Sequence, residues 1–595
     1  MRIPSRATRR GAACCARATR RVAPVAFRTN DVSSRTQPRA GRTNIPVECS
    51  ARISVRDLLF AFFSCHSEPV RVQSAIGVRL ARRGENLLFA FLFCFFITGC
   101  SHRAASTSST VNFLLESMPT NLDPRIGTDA FSAHIDFLLF DGLLQRDDHL
   151  NLAPDLAEKW EMPDPQTYVF HLRHNVHFSN GQPLTSADVK FTFDSIRTGA
   201  IKTAKRGAYA LVDSITTPDP WTVIFHLSSP YASFPLNLIR QAIGIVPQNS
   251  GADFALHLIG TGPFHLANIV PDQEIVLERN PSYFAGPPAL ESVRFRIIPD
   301  ALTRALELRK GSGDLESNSL TPDMVSAFAR DPRIEVSHAP GTTLAYICFN
   351  FDDPILKRRE VRQALAYATD RPALIQYLLH GTARPAESLL PPADPYFDAP
   401  NSDANVPQYN FDPARANSLL DAAGFSRGPG GIRFHLQIKT STDESTRILA
   451  AALQDQWHRV GVQLDLRSLE FATFYADITR GSFQLYTLRW VGANLDPDIF
   501  DYVFNSGRIP PAGANRGHYR NPQLDALLEE SRVTSDETKR KKILAQIQQI
   551  VAQDEPYINL WYYDNVCVHS RRLANIQLSP GGDFDFLQHA LVLAH

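Results

Sequence analysis

The chain is poor in cysteine, methionine and tryptophan, with 8, 4 and 5 among 595 residues. It also lacks the short motifs of common catalysis. No GxSxG, HExxH, Walker A or CxxC pattern occurs, so a nucleophile elbow, a zincin helix, a phosphate loop and a dithiol pair are all unsupported. No pair of acids is marked by sequence as a general acid and base. Net charge is absent as well, since 61 basic groups balance 61 acidic ones. That balance is uneven. Residues 1–99 hold 17 Arg, no Lys and 5 acids, which leaves 44 basic against 56 acidic groups, a net of −12, for the remainder. An acidic body argues against a nucleic-acid surface. At this length one core is too few, and two or more lobes are expected.

Five of the eight cysteines precede position 100. Arg82 and Arg83 stand before an eleven-residue apolar run, residues 87–97, followed by Thr98, Gly99 and Cys100. The run is shorter than the ~20 residues of a spanning helix, and its length fits a signal h-region. Positive flank, short apolar core and small residues before Cys have the form of a bacterial lipoprotein signal, which makes Cys100 the expected lipidated residue. Several acyl chains at ~0.8 kcal/mol per buried CH₂ give durable membrane anchoring. Residues 100–110 then read as a polar tether. The segment DLLFAFFSC (57–65) partly repeats as NLLFAFLFC (86–94). The working protein is expected to start near Val78. Beyond Cys100 only Cys348 and Cys567 remain. Their spacing leaves open a disulfide or two buried thiols.

The densest local signal lies in residues 151–193. Tyr168, Phe170 and Leu172 alternate with Val169, His171 and Arg173, as on a half-buried strand. Val176 and Phe178 resume the pattern and suggest a hairpin, and Asn180-Gly181 supplies a turn. Thr185 is an N-cap, with Asp188 as its capping-box partner. Val189, Phe193 and Ile196 share one face of the helix that follows. His171, His174 and His177 invite a metal reading, but positions three apart on a strand face opposite sides, so no metal is expected there. Gly428 to Gly431 form a turn rather than a phosphate cradle. Further on, Phe434, Leu436 and Ile438 alternate. A helix follows with Ile448, Leu453 and Trp457 inward, then Gly461 and a second alternating strand with Val462, Leu464 and Leu466. That is a βαβ unit and hence an α/β lobe. Asp412 and Pro413 open another helix that stops at Gly424. Residues 541–551 make one more, with Ile543, Ile547 and Ile550 inward.

Several of these stretches resemble one family. LAPDLAEKW, the Tyr-Val-Phe-x-Leu-Arg strand and FSNGQPLTSADV are similar, in that order, to the extracytoplasmic solute-binding proteins of ABC importers that carry oligopeptides, dipeptides and nickel. Leu122-Asp123-Pro124, the GTGPF of residues 260–264, the Arg279-Asn280-Pro281-x-Tyr283-Phe284 segment and VRQALAYATDR from Val361 resemble further motifs of that family. So does WVGANLDPDIF from Trp490. The matches run from about residue 111 to about 563.

The resemblance implies an α/β, two-lobed periplasmic-binding-protein-like fold with an extra subdomain in the N-terminal lobe. Lobe I would take residues 111–346, including a subdomain at about 156–265, and regain the chain at 562–595. Lobe II would take 347–561, with crossings near Phe349-Asn350 and Leu560-Trp561. It implies a monomer that captures a peptide or other small solute between the lobes and hands it to a membrane permease served by an ATPase, without a cofactor. In peptide-binding relatives the Trp at position 490 lines the cleft, and an Asp three residues later pairs with the peptide's α-ammonium. Here that position is Ala493. The ligand-facing residues expected are thus Trp490, Ala493, Asn494, Asn350 and Arg489, with Arg489 suited to a carboxylate although alternation sets it on the strand face opposite Trp490. Other solutes, such as a metal chelate or an oligosaccharide, remain open, as do a cleft hydrolase and a sensor or chaperone working without a transporter.

Overall fold

The computed structural model describes residues 109–398, 407–492 and 495–593. Cys100, most of the tether, Ala493 and Asn494 lie outside them. No helix among the described residues is long and apolar enough to cross a membrane.

The strand Thr167–Leu172 buries Tyr168, Phe170 and Leu172 and turns the residues between them outward, as the period-two pattern requires. It sits second in a four-stranded antiparallel sheet, paired with Ala157–Asp164 on one side and Thr222–Leu227 on the other, with Val212–Asp219 beyond. The hairpin therefore runs backward along the chain. Val176 and Phe178 are buried but form no strand with it; a single bridge joins His177 to Pro183 across the Asn180-Gly181 turn. The helix Ser186–Arg197 begins as expected, with the Thr185 amide donating to the Asp188 carboxylate at 2.8 Å. Its Val189, Phe193 and Ile196 close a hydrophobic cluster whose buried members run from Leu143 to Ile245, with Ile259 and Phe284 packed against it. A fully buried Phe such as Phe193 is worth roughly 1.5–3 kcal/mol of transfer free energy.

The main sheet has eleven strands. One half holds the parallel βαβ unit Phe434–Ser441, Glu444–Arg459 and Val462–Leu469, plus Leu485–Trp490, which runs parallel to its first strand. The other half holds Thr110–Leu115, Ser292–Ile297, Glu274–Arg279 and Phe264–Val270. Two long strands, Ile334–Phe349 and Tyr557–Ser570, pair antiparallel and belong to both halves. Residues from Leu344 to Phe349 enter the cores around the βαβ unit, whereas Ile334, Val566 and Val568 enter a core of the other half. Their pairing shifts register between Pro340 and Leu344, opposite Asp564 and Tyr562. Gly341 lies in this break, where a Cβ would sit 2.2 Å from the Tyr563 carbonyl oxygen.

Some sequence expectations shift. In the helix Glu444–Arg459 the inward residues are Leu449, Leu453 and Trp457, while Ile448 is 47% exposed. Leu466 also points outward, since its strand is the last in the sheet and is covered only along its first residues. The helix Pro413–Ala422 starts from Asp412, whose side chain accepts from the Arg415 amide, and ends beside Gly424 at φ +80°. Cys348 and Cys567 are buried free thiols rather than a disulfide, and burial pushes the Cys348 thiol up to about 12.

The motifs spread along the N-terminal half meet in one buried network. Arg240 pairs with Asp155, at 3.0 and 2.9 Å, and with Asp141. It also donates to the Tyr283 hydroxyl at 3.0 Å, which itself donates to Asp141 at 3.0 Å. Thr261 donates to the other Asp141 oxygen at 2.7 Å. Asp155 belongs to LAPDLAEKW, Thr261 to GTGPF and Tyr283 to the segment after it. Gly260 has its own reason, because a Cβ there would sit 1.9 Å from the Leu139 carbonyl oxygen. Replacing Arg240 by Met leaves two buried carboxylates without a counter-ion, so chemical denaturation of Arg240→Met should show a loss of about 3–5 kcal/mol. A loss under about 1 kcal/mol would mean that the network contributes little.

Candidate functional site

A cleft of about 2140 Å³ lies along the shared strands. Its walls come from the helix Ala130–Leu139, the subdomain edge, residues 316–325, the N-terminal end of the helix Glu444–Arg459 and the C-terminal segment around Asp583. Thr342, Ala345, Trp561 and Tyr563 of the two long strands form its floor. Twelve Asp and Glu residues line it against three Arg and no Lys, so the potential inside favours cationic groups. The acids differ in environment. Asp583 stands 3.4 Å from the His134 ring. Burial, reinforced by the Asp583 charge, pushes the Asp585 carboxyl up to about 7.

Residues of the subdomain also touch the far lobe. Ser233 donates to Asp496 at 2.9 Å and accepts from Arg540 at 2.6 Å, and Arg540 also pairs with Asp498 at 3.0 Å. Arg146 donates to the Leu495 carbonyl. Burial and the neighbouring Asp496 charge push the Asp498 carboxyl up to about 7, with Arg540 opposing.

The expected site residues separate. Arg489 lines the cleft, with its Nη2 donating to Ser445 at 3.0 Å and its guanidinium 4.8 Å from the Tyr563 ring centre. Trp490 faces the other side of the sheet, stacked on Tyr346 at 5.9 Å and edge-on to Tyr502 at 6.4 Å. Alternation had put the two on opposite faces, and the structure shows which face is which. Asn350 is buried and turned to backbone. Its amide donates to the Gly481 and Phe483 carbonyls at 3.0 and 2.7 Å, and its carbonyl accepts from the Asp352 amide at 3.0 Å. It is thus a brace for the turn before Leu485–Trp490. Ala493 and Asn494 lie outside the described residues. The three histidines stay apart, and His174 stacks on Trp221 at 4.4 Å.

Glu316, which the sequence does not mark, is 1% exposed on the cleft wall. Its Oε2 accepts from the Ser319 amide and hydroxyl at 3.0 and 2.6 Å, while Oε1 is buried without a partner among the described residues. Burial pushes this carboxyl up from 4.5 to about 7.

Residues 151–510 match the family model described as bacterial extracellular solute-binding proteins, family 5, middle part. The dipeptide-binding protein of Escherichia coli K12 is 27% identical over 482 residues, covering 76% of this chain and 89% of that one. Among solved structures, the ABC transporter substrate-binding protein CtaP of Listeria monocytogenes is 26% identical with TM-score 0.72, covering 82% of this chain and 99% of that one. NikA of Brucella suis, in complex with Fe(III)-EDTA, is 25% identical with TM-score 0.73, covering 81% and 100%.

Glu316 gives a pH test. Between pH 4.5 and 7 the folded chain keeps a proton that the unfolded chain has released. The carboxyl therefore favours the fold at low pH, and this advantage is lost as pH rises through about 7. Glu316→Gln, which keeps an acceptor for Ser319 but cannot ionise, should match wild type at pH 4.5 and be more stable above pH 7, by up to about 3 kcal/mol. Denaturation curves that stay parallel across this window would contradict the assignment.

Proposed function

Since the chain belongs to family 5 of the bacterial extracellular solute-binding proteins, we propose that it captures a peptide between its two lobes and delivers it to the permease of an ABC importer. The observation that carries this is the pair of long strands shared by both lobes beside a cleft of about 2140 Å³. The register break at Pro340 to Leu344, opposite Tyr562 to Asp564, serves as the hinge. It lies a few residues ahead of the crossings expected at Phe349-Asn350, so lobe II begins near Leu344. Closure is a ligand-driven shift in population. The relative named for dipeptide binding supports a peptide solute. The body acts as a monomer, extracytoplasmic and held to the membrane by acyl chains on Cys100. Fractionation of Cys100→Ser, expected in the soluble fraction, tests the anchor.

No ATP site or catalytic constellation is needed for this work. The protein's part is recognition, and the energy enters at the permease-bound ATPase. Arg489 faces the cleft, whereas Trp490 lies on the other face of its sheet, against Tyr346 and Tyr502. Ala493 removes the acid that peptide-binding relatives place against an α-ammonium. Asp496 and Asp498 do not replace it, because they are engaged by Ser233 and Arg540. The binding mode is therefore independent of a free peptide N-terminus.

Calorimetry with unblocked and N-acetylated peptides tests both statements. Wild type should bind the two forms alike. Ala493→Asp should prefer the unblocked form roughly tenfold to a hundredfold, the equivalent of one charge-assisted hydrogen bond, and the preference should fade at low pH as the carboxylate protonates. Binding of neither form would sink the peptide reading. A strong wild-type preference for the free amine would sink the inference from Ala493.

A further inference from the structure

Arg516 is a buried guanidinium without a counter-ion among the described residues. It is 7% exposed, and no described carboxylate pairs with it. Its Nη2 donates to the Tyr475 hydroxyl at 3.0 Å, while Nη1 is buried with no acceptor among the described residues. The guanidinium carbon lies 5.7 Å from the Trp490 ring centre and 5.3 Å from that of Tyr475. Trp490 Nε1 is a second buried donor without an acceptor among the described residues. Behind them stand neutral groups. The Tyr346 and Tyr486 hydroxyls are 3.5 Å apart, and the Tyr557 ring stacks on Tyr346 at 4.3 Å.

Arginine cannot escape such a position by losing its proton. A buried charge that stays ionised and unpaired is among the costliest arrangements a fold can hold. Unsatisfied buried donors in a native structure call for a reason. Here two of them belong to side chains in contact, and one carries a full positive charge. The group that satisfies both is a monoanion with two acceptor atoms.

The place is also one where a solute can arrive. The strands Phe434–Ser441, Val462–Leu469 and Leu485–Trp490 are parallel, so their C-terminal ends share one edge of lobe II. Ligands of open α/β sheets bind at that edge. Trp490 ends its strand there. The helix Phe471–Thr479 follows the strand Val462–Leu469 and presents Phe471 and Tyr475 half-exposed, and Tyr502 stands half-exposed on the other side of Trp490. Aromatic faces of this kind hold the apolar body of a ligand whose polar end reaches inward.

We propose that Arg516 and the Trp490 indole N–H form a carboxylate-binding subsite, entered past Tyr475 and Tyr502, so that the transported solute presents a free carboxylate to this end of lobe II. The proposal rests on the solute-binding reading and fixes the charge the solute must carry there. It also gives Ala493 a positive meaning. Three residues after Trp490 in sequence this chain has Ala493 where peptide-binding relatives keep an acid for a cation, and against the Trp490 ring it holds a cation with no carboxylate partner among the described residues. One guanidinium matches a singly charged carboxylate better than a phosphate dianion.

The probes are N-acetyl-trialanine, its C-terminal amide and inorganic phosphate, titrated into the full chain while the indole N–H resonances are followed by NMR. Trp490→Phe identifies the relevant signal. The free acid should move the Trp490 signal and bind about tenfold to a hundredfold more tightly than the amide, and phosphate should bind more weakly than the free acid. Arg516→Gln should abolish the distinction between acid and amide. The unfolding midpoint of the solute-free protein should stay unchanged or rise, because an uncompensated buried charge has been removed. The proposal is overturned if the amide acts like the acid, if phosphate is preferred, or if no probe moves the signal. It is equally overturned if Arg516→Gln keeps the preference, or if that variant lowers the solute-free midpoint, which would make Arg516 a structural brace. Peptide binding by calorimetry without any response at Trp490 would remove the subsite and leave the solute-binding reading standing.

Discussion

Arg240, held between Asp141 and Asp155, is the interaction on which the N-terminal half of the molecule depends. Its partners Asp141, Asp155 and Tyr283, with Thr261 bonded to Asp141, come from four separated stretches of chain, and each brings a backbone element with it. Asp155 enters from the start of the subdomain, Thr261 from the glycine-rich turn against the helix Ala130–Leu139, and Tyr283 from the segment before Ser292–Ile297. Burial favours the neutral guanidine, but the two carboxylates hold its proton more firmly than usual. Burial and the nearby Asp141 charge in turn leave Asp155 pushed up to about 6 despite Arg240. Such a network is expensive to assemble and more expensive to break. It fixes the subdomain against lobe I, so that the cleft wall it carries keeps one geometry.

The second constraint is the pair of long strands. Because Ile334–Phe349 and Tyr557–Ser570 contribute to cores on both sides, the lobes share one sheet and cannot drift apart. Their pairing shifts register between Pro340 and Leu344, which is why this point is the one proposed to bend. The Ser233, Asp496, Asp498 and Arg540 contact joins the subdomain to lobe II. The lobes are thus joined by a permanent covalent connection and by a polar contact. Only the polar contact can open without unfolding a core.

Where one period and one buried face governed, the sequence was readable. Tyr168, Phe170 and Leu172, the Thr185 cap, and the βαβ unit fall where their patterns put them. Three of the motifs that carried the resemblance each place one residue, Asp155, Thr261 or Tyr283, in the buried network around Arg240, where charge and shape restrict what can stand. Errors came where two faces compete. Ile448 and Leu449 are adjacent on a helix whose first turns border the cleft, so a rotation of one position exchanges core for solvent. Arg489 and Trp490 were separable by alternation, yet both faces of the lobe II sheet are covered, and nothing local says which one meets the cleft. Asn350 suited a strand hydrogen bond as well as a ligand contact, and sequence could not choose because its carbonyl partners, Gly481 and Phe483, lie some 130 residues away. Arg516 carried no signal at all. Its isolation becomes visible only when tyrosines from three strands and one helix are brought around it.

The account's central claim is that two lobes joined by a bent strand pair close on a solute. Small-angle scattering on protein stripped of solute by partial unfolding and refolding, then measured with and without added peptide, tests it most directly. The account predicts a smaller radius of gyration with peptide bound and rigid lobes in both states. Identical profiles, with binding confirmed independently by calorimetry, would contradict it.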